Sequence, residues 1–577
     1  MVSTVCSFCG CGCNINLEVS GNQIVRARPK EENSPNGITL CARGTFGYDY
    51  VHSTDRLTQP LMKVDDEFQA VSWEEALTAV ATGFSQIKET NGADSLAVYG
   101  SSKCTNEDNY VLQKFARDVL GTSNIDNGGS VYDSATRTGL EGCVRYPTST
   151  NPIDDIEKSE VIMLIGADPV ISNPMVGYAI KRAVKYNNSK LILVNPEDTD
   201  LGDIAHIWLR PKIDTDDILV NGFIKAIVDS GLYDKEFIAE KAENFEAVSK
   251  SIQTYTLEQV QESTGIASEE AQKAARIFAE ANSATIIVGT GITQSPVGSR
   301  SISALANLSL ITGNIRRTGG GLFVMRRENN AQGASDMGCV PGLLPGYQSV
   351  HDDSGSSVIE MIEQTKSGKI KAMYVVGENP VASLSDELSV AETLSHLEFL
   401  VVQDLFLTET AKLANVVLPA ASFAEKDGTF TNFERRVQRV RKAIEPTGES
   451  LPDWQIIQNL ANAMGLAMNY SSAKEIMSEI SEKVHIYRGI NYAEIESGGV
   501  YWPNSETDRA GTSRLYEDRF PRGYGRITAE ESTAKESDKL HKAQTSGKTL
   551  YRFGSGTRSS KSARLGTMSP DISEVTT

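Results

Sequence analysis

Five cysteines fall within the first 41 residues, four of them inside the stretch CSFCGCGC. Cys6, Cys9, Cys13 and Cys41 form the pattern C-x2-C-x3-C-x27-C. A tight trio with a remote fourth thiolate can wrap one face of an iron–sulfur cubane. Gly10 and Gly12 let the loop between them turn sharply enough. Zinc is the competing reading, since C-x2-C also suits a tetrahedral ion, although zinc sites generally pair two such knuckles and no second one follows. Spacing makes Cys11 the spare, and Cys104, Cys143 and Cys339 stand alone as expected buried thiols. The flanking pieces NINLEV and QIVRARP are too little apolar material for a free core. Residues 1–60 are therefore expected to be stapled by a metal centre and packed on something larger.

The remaining chain is long enough for that larger body. Its 577 residues suggest about four structural units at ~150 residues each. A formal net charge of -19 repels phosphate backbones, so nucleic acid is not an expected partner. The start lacks the basic and apolar regions of a signal peptide, and no apolar run approaches the ~18 residues of a membrane helix. The expectation is a cytoplasmic protein whose thiols stay reduced.

From about residue 70 the pattern becomes α/β. SWEEALTAVATGFSQIKET opens on a serine cap with glutamates in its first turn. EVIMLIGADP and KLILVNPED are buried-strand runs that end in turn chemistry. The sequence also repeats itself. VIMLIGADP ends at Pro169 and AMYVVGENP at Pro380, each a strand followed by Gly-x-Asp/Asn-Pro. A second strand follows each, 29 residues from Gly166 to Asn195 and 26 from Gly377 to Gln403. Then come DIAHIWLRP and KLANVVLPA, each ending in proline. Two related doubly wound halves are expected, with ligands beyond the carboxyl ends of their strands. After residue 485 the composition turns polar and glycine-rich and reads as a surface excursion.

With these features in hand, the chain resembles the molybdopterin oxidoreductase family, most closely the α subunits of cytoplasmic formate dehydrogenases. CSFCGCGC, LCARGTFGYDYVHSTDRLTQPL, SSKCTNEDNYVLQKFAR, RRENNAQGASDMG and QDLFLTETAKLANVVLPAASFAEKDGTFTNFERRVQ carry the likeness, which spans roughly residues 1–558. The resemblance implies a small [4Fe–4S] domain (1–60) and two related Rossmann-like domains. The first half would be 131–334, the second 61–130 with 335–485, followed by the polar excursion 486–549. Residues 550–577 would be the remnant of a truncated C-terminal β-barrel domain. It also implies a bis-molybdopterin guanine dinucleotide carrying Mo or W, held between the halves. Carried over residue by residue, the quartet of cysteines would hold the cluster, and Arg43 would lie between cluster and pterin. Asn195 and Asp216 would contact one nucleotide, and Gly377, Asn379, Gln403, Asp404 and Thr408 the other. Gly333 lies in the same loop as Arg326, which matches the arginine that grips a substrate carboxylate through a bidentate fork. Ser555, Gly556, Thr557 and Arg558 would be further pterin contacts.

Three departures qualify what the resemblance implies. The positions that supply the metal's Cys or selenocysteine ligand and the next histidine are Tyr132 and Asp133. A carboxylate ~4 Å from a formate anion costs up to ~4 kcal/mol at an effective dielectric near 20, which counts against formate. The chain stops where the barrel would begin, so a separate chain supplying it is one expectation. A single cluster implies an electron-transfer partner, an iron–sulfur or flavin subunit. Two functions follow: a small-molecule oxidoreductase, or a non-catalytic electron-transfer scaffold like the large subunit of respiratory NADH dehydrogenase. The retained Arg326 and nucleotide contacts favour the first.

Overall fold

The computed structural model describes residues 1–350, 355–504, 511–528 and 558–562. The chain opens with an antiparallel sheet of β1 (Val2–Val5), β2 (Asn14–Ser20) and β3 (Gln23–Pro29), with the cysteine loop between β1 and β2. It then lays down β4 (Leu61–Val64), β5 (Glu67–Ala70), β6 (Leu96–Gly100) and β7 (Ile125–Asn127). Next it builds a second sheet from β8 (Val161–Ile165), β9 (Lys190–Val194), β10 (Ile207–Leu209), β11 (Ala284–Val288) and β12 (Leu322–Val324). It returns to the earlier sheet with β13 (Ala372–Val376), β14 (Phe399–Asp404) and β15 (Val416–Pro419). The five-stranded sheet runs β10-β9-β8-β11-β12, all parallel. The seven-stranded sheet runs β5-β4-β15-β14-β13-β6-β7, parallel except for the β4–β5 hairpin at one edge.

Local sequence explains these elements. Every residue of β8 and of β13 is buried, as expected of parallel strands covered by helices on both faces. The helix Trp73–Asn91 starts on the expected capping box: Ser72 accepts from the Glu75 N–H, and Glu75 accepts from the Ser72 N–H at 2.8 Å. The two halves superpose in logic: β8 turns through Gly166 at φ +58 into a helix with Pro169 at its first position, and β13 turns through Gly377 at φ +66 into one starting at Pro380. A left-handed turn of this kind suits glycine, which has no Cβ to clash.

The structure corrects the reading of residues 486–528 as a surface excursion. Trp502 and Tyr487 are fully buried there, and Tyr516, Phe520 and Ile527 pack into the first-half core. The stretch is pinned by Arg435, itself fully buried, whose guanidinium donates to the carbonyls of Trp502, Thr512, Ser513, Ser149 and Thr150. Of the expected barrel remnant, Ser555, Gly556 and Thr557 lie outside the described residues, and no closed barrel is found among those described. No described helix is long and apolar enough to cross a membrane.

Candidate functional site

The four expected cluster ligands are all buried. Cys6 donates its N–H to Cys13 O at 2.8 Å, closing the loop, and Cys41 sits at the N-cap of the short helix Ala42–Phe46. A hairpin 420 residues away in the chain holds this loop in place. It consists of β16 (Gly428–Thr431) and β17 (Arg436–Val440). Asn432 donates to Cys11 O at 3.0 Å, Phe433 N–H to Gly10 O at 3.0 Å and Gln438 to Gly12 O at 2.9 Å. Sequence reasoning quoted this hairpin as family-like but gave it no role.

Sulfur spacing discriminates between the two metal readings. Thiolates around one zinc ion lie ~3.8 Å apart. Among the described residues the one trio of potential ligands gathered within 4.8 Å is Cys104, Asp108 and Asp453, not any three of the N-terminal cysteines. The quartet is thus spread wider than a single ion requires, which fits a larger cluster. Burial and neighbouring thiols push the Cys6, Cys13 and Cys41 thiols upward. Cys11 hydrogen-bonds Cys9, which falls to about 6, and receives Asn173 Nδ2 at 3.8 Å. Arg43 donates to Ser172 O at 2.8 Å; burial opposes its charge, but Cys9, Cys41, Cys6 and Cys11 outweigh that and raise its pKa. The Cys104 trio needs no ion, because Lys426 Nζ bonds both carboxylates, Asp108 at 2.6 Å.

The cluster loop abuts the strand end that carries Arg326. A Cβ on Gly10 would lie 2.5 Å from Arg326 O, and Cys9 pairs with Glu328 as an isolated antiparallel bridge. Asn173 stitches the seam by donating to Arg326 O at 3.1 Å. Arg326 itself is buried and spoken for on three sides. Its Nη1 pairs with Asp133, Nη2 donates to Pro147 O at 2.7 Å, and Nε donates to Gln332 Oε1 at 3.0 Å. Gln332 is fixed in turn by Asp336, at 2.7 Å, which also accepts from Tyr347 and Tyr487. Burial raises Asp336 to about 6 against these three donated bonds. Tyr132 ends the turn Ser130–Tyr132 and is buried, with the Arg327 guanidinium 4.5 Å from its ring centroid. Tyr132, Asp133 and Arg326 therefore meet, although 193 residues separate Asp133 from Arg326.

The expected nucleotide contacts lie at strand ends, but the register changes how they match. Gly166 donates to Val194 O and Gly377 to Gln403 O. Asn195 therefore corresponds to Asp404, and Gln403 to Val194, not Asn195 to Gln403 as residue counting suggested. Gln403 is fully buried, donates to Asp453 at 2.6 Å and accepts from Tyr374. Asp404 sits one residue on and accepts the Leu405 N–H at 2.6 Å; burial raises it to about 7. Asp216 opens the helix Asp216–Asp229, and burial with its neighbour Asp217 raises it likewise to about 7. Neither carboxylate has a cationic partner among the described residues, so each can accept the N–H edge of a guanine. Asn195 donates to Ala167 O at 3.2 Å. Asn379 accepts from Thr410 and donates to Glu409 at 2.7 Å, and Thr408 accepts the Ala411 N–H. Gly333 is a packing glycine: a Cβ there would lie 1.9 Å from Asn106 Oδ1. Arg558 clamps Glu409 at 2.9 and 3.1 Å, and Ser562 binds Asp49 of the cluster domain at 2.9 Å.

Comparison with known proteins agrees with this architecture. Residues 56–463 match the molybdopterin oxidoreductase model and residues 1–53 the molybdopterin oxidoreductase Fe4S4 domain. The chain is 40% identical, over 98% of its length and 86% of the relative, to a protein of Methanocaldococcus jannaschii named as a formate dehydrogenase subunit alpha. A second formate dehydrogenase alpha subunit, from Methanococcus maripaludis, is 36% identical over 96% of this chain and 85% of its own. Two Bacillus subtilis relatives at 37% identity are longer, and the chain spans 60% of each. Among solved structures, acetylene hydratase from Pelobacter acetylenicus shares the fold, with a TM-score of 0.75 over 91% of this chain and 77% of its own, at 21% identity.

Proposed function

Because the chain belongs to the molybdopterin oxidoreductase family, we propose that it is the catalytic subunit of an oxidoreductase built on the formate dehydrogenase plan. The family brings a [4Fe–4S] cluster and a molybdopterin cofactor with Mo or W; when bound, that metal supplies the two-electron step. Cys6, Cys9, Cys13 and Cys41 hold the cluster. Asn195 and Asp216 in one half, and Asp404 with the Gly377–Asn379 turn in the other, hold the two nucleotide ends. Arg326 orients the substrate, Tyr132 stands in the metal-ligand position, and Arg43 keeps positive charge between the two centres, which favours their reduced forms. A partner subunit collects the electrons one at a time, in keeping with relatives named as alpha subunits.

The observation that carries this reading is the seam of Gly10, Cys9, Arg326 and Glu328. It puts the substrate arginine and a cluster ligand on touching backbone. The second reading, a non-catalytic electron-transfer subunit, draws on Tyr132 and Asp133. Metal and nucleotide analysis of anaerobically purified protein separates them. The catalytic reading expects about four iron atoms, about one Mo or W and about two guanine nucleotides per chain. Iron without Mo, W or guanine nucleotide establishes the scaffold instead.

A further inference from the structure

An arginine that recognises a carboxylate must present an open fork. Arg326 does not. Its side chain is 2% exposed, and all three of its nitrogens are already engaged: Nη1 by Asp133, Nη2 by Pro147 O at 2.7 Å and Nε by Gln332 at 3.0 Å. Charge tells the same story. Asp133 faces the guanidinium directly, and Asp336 lies behind it through Gln332. One nearby cation, Arg137, is turned to Pro341 O at 2.8 Å, and another, Arg327, lies over the Tyr132 ring. The arginine's charge is balanced from within the chain before any substrate arrives. An incoming carboxylate would have to displace Asp133, leaving it buried without its partner, or sit beside it as a like charge in a water-poor site. Both are costly. A neutral molecule pays neither cost and can still use the remaining N–H groups of the fork.

We propose that Asp133 fills the carboxylate-binding fork of Arg326 from inside the chain, so that this enzyme takes a small uncharged substrate and rejects a carboxylate. The inference rests on the catalytic reading above and makes Asp133 its specificity-determining residue. Formate and formamide are near-isosteres that differ in charge, so they isolate the effect. The holoenzyme is titrated with each, labelled with carbon-13, and binding is followed by line broadening. The wild type is expected to bind formamide at least ~10-fold more tightly than formate, and Asp133→Asn to tighten formate by ~100-fold while formamide changes little, the size of effect one like charge at contact exerts in a partly buried site. Adding Arg326→Met to Asp133→Asn is expected to abolish the gained formate binding. Wild-type protein that binds formate as tightly as formamide overturns the proposal, as does an Asp133→Asn variant whose formate affinity stays within ~3-fold of wild type. Should Asp133→Asn not fold, the wild-type ratio alone decides. Absence of Mo, W and guanine nucleotide would defeat the catalytic reading separately, since equilibrium binding needs no turnover.

Discussion

The two α/β halves are built from the same strand–turn–helix–strand unit, yet they treat the end of the second strand in opposite ways. In the first half Val194 closes β9 inside an apolar core. At the matching position of the second half, Gln403 donates to Asp453, which pairs with Lys426, which pairs with Asp108. The second half therefore carries a buried ionic knot where the first carries a valine. The next residue out, Asn195 or Asp404, faces the opposite side in both halves, because side chains alternate along a strand. One position belongs to the core and its neighbour to the crease in which we propose the nucleotide binds. Register alone decides which is which.

The largest expected effect breaks the second half and spares the first. Lys426→Met removes the cation that, among the described residues, bridges the buried Asp108 and Asp453. Breaking a buried ion pair from one side costs ~3–5 kcal/mol. Chemical denaturation is expected to lose that amount, with the loss confined to a transition reporting on the seven-stranded sheet. Equal loss in the five-stranded sheet would show that the halves do not differ as described.

A smaller effect comes from making the halves alike. Gln403→Leu leaves Asp453 Oδ1 without its amide donor, although Lys426 still holds Oδ2, and leaves the Tyr374 hydroxyl without its acceptor. One orphaned buried hydroxyl beside a carboxylate that keeps its cation costs ~1–3 kcal/mol. Guanine nucleotide content is expected to stay unchanged, because Gln403 faces the core. A variant that keeps its stability but sheds nucleotide would return Gln403 to the crease.

How far the sequence could be read follows from the range of each signal. Buried runs such as VIMLI and AMYVV, and the Gly-x-Asp/Asn-Pro turns, are local, so both halves were legible. The pairing of Asn195 with Gln403 was not, since counting residues between turns measures loop length, while the Gly166 and Gly377 N–H bonds set register. The 428–440 hairpin grips the cysteine loop across more than 400 residues, and no local pattern announces that. The polar average of 486–528 hid Tyr487, Trp502, Tyr516 and Phe520, whose spacing follows no helix or strand period. Residue types made Asp133 an awkward neighbour for an anion, but only the fold showed that it has already taken Arg326.

The smallest effect on stability sharpens the comparison most. Asp404 is the crease residue next to Gln403, and burial raises its carboxyl to about 7. A carboxyl raised in the folded protein stabilises it below the unfolded value near 4, and that contribution is lost as pH rises through about 7. Asp404→Asn removes this dependence, so its stability is expected to be the flatter with pH across that window. Guanine donates N–H groups and so prefers the ionised carboxylate. Wild-type protein dialysed at pH 6, 7 and 8 is therefore expected to retain more guanine nucleotide as pH rises and then level off. The retention of Asp404→Asn should not follow pH across that range, and Gln403→Leu should track wild type. If Gln403→Leu loses the pH dependence and Asp404→Asn keeps it, the two neighbours have exchanged roles and the register argument fails.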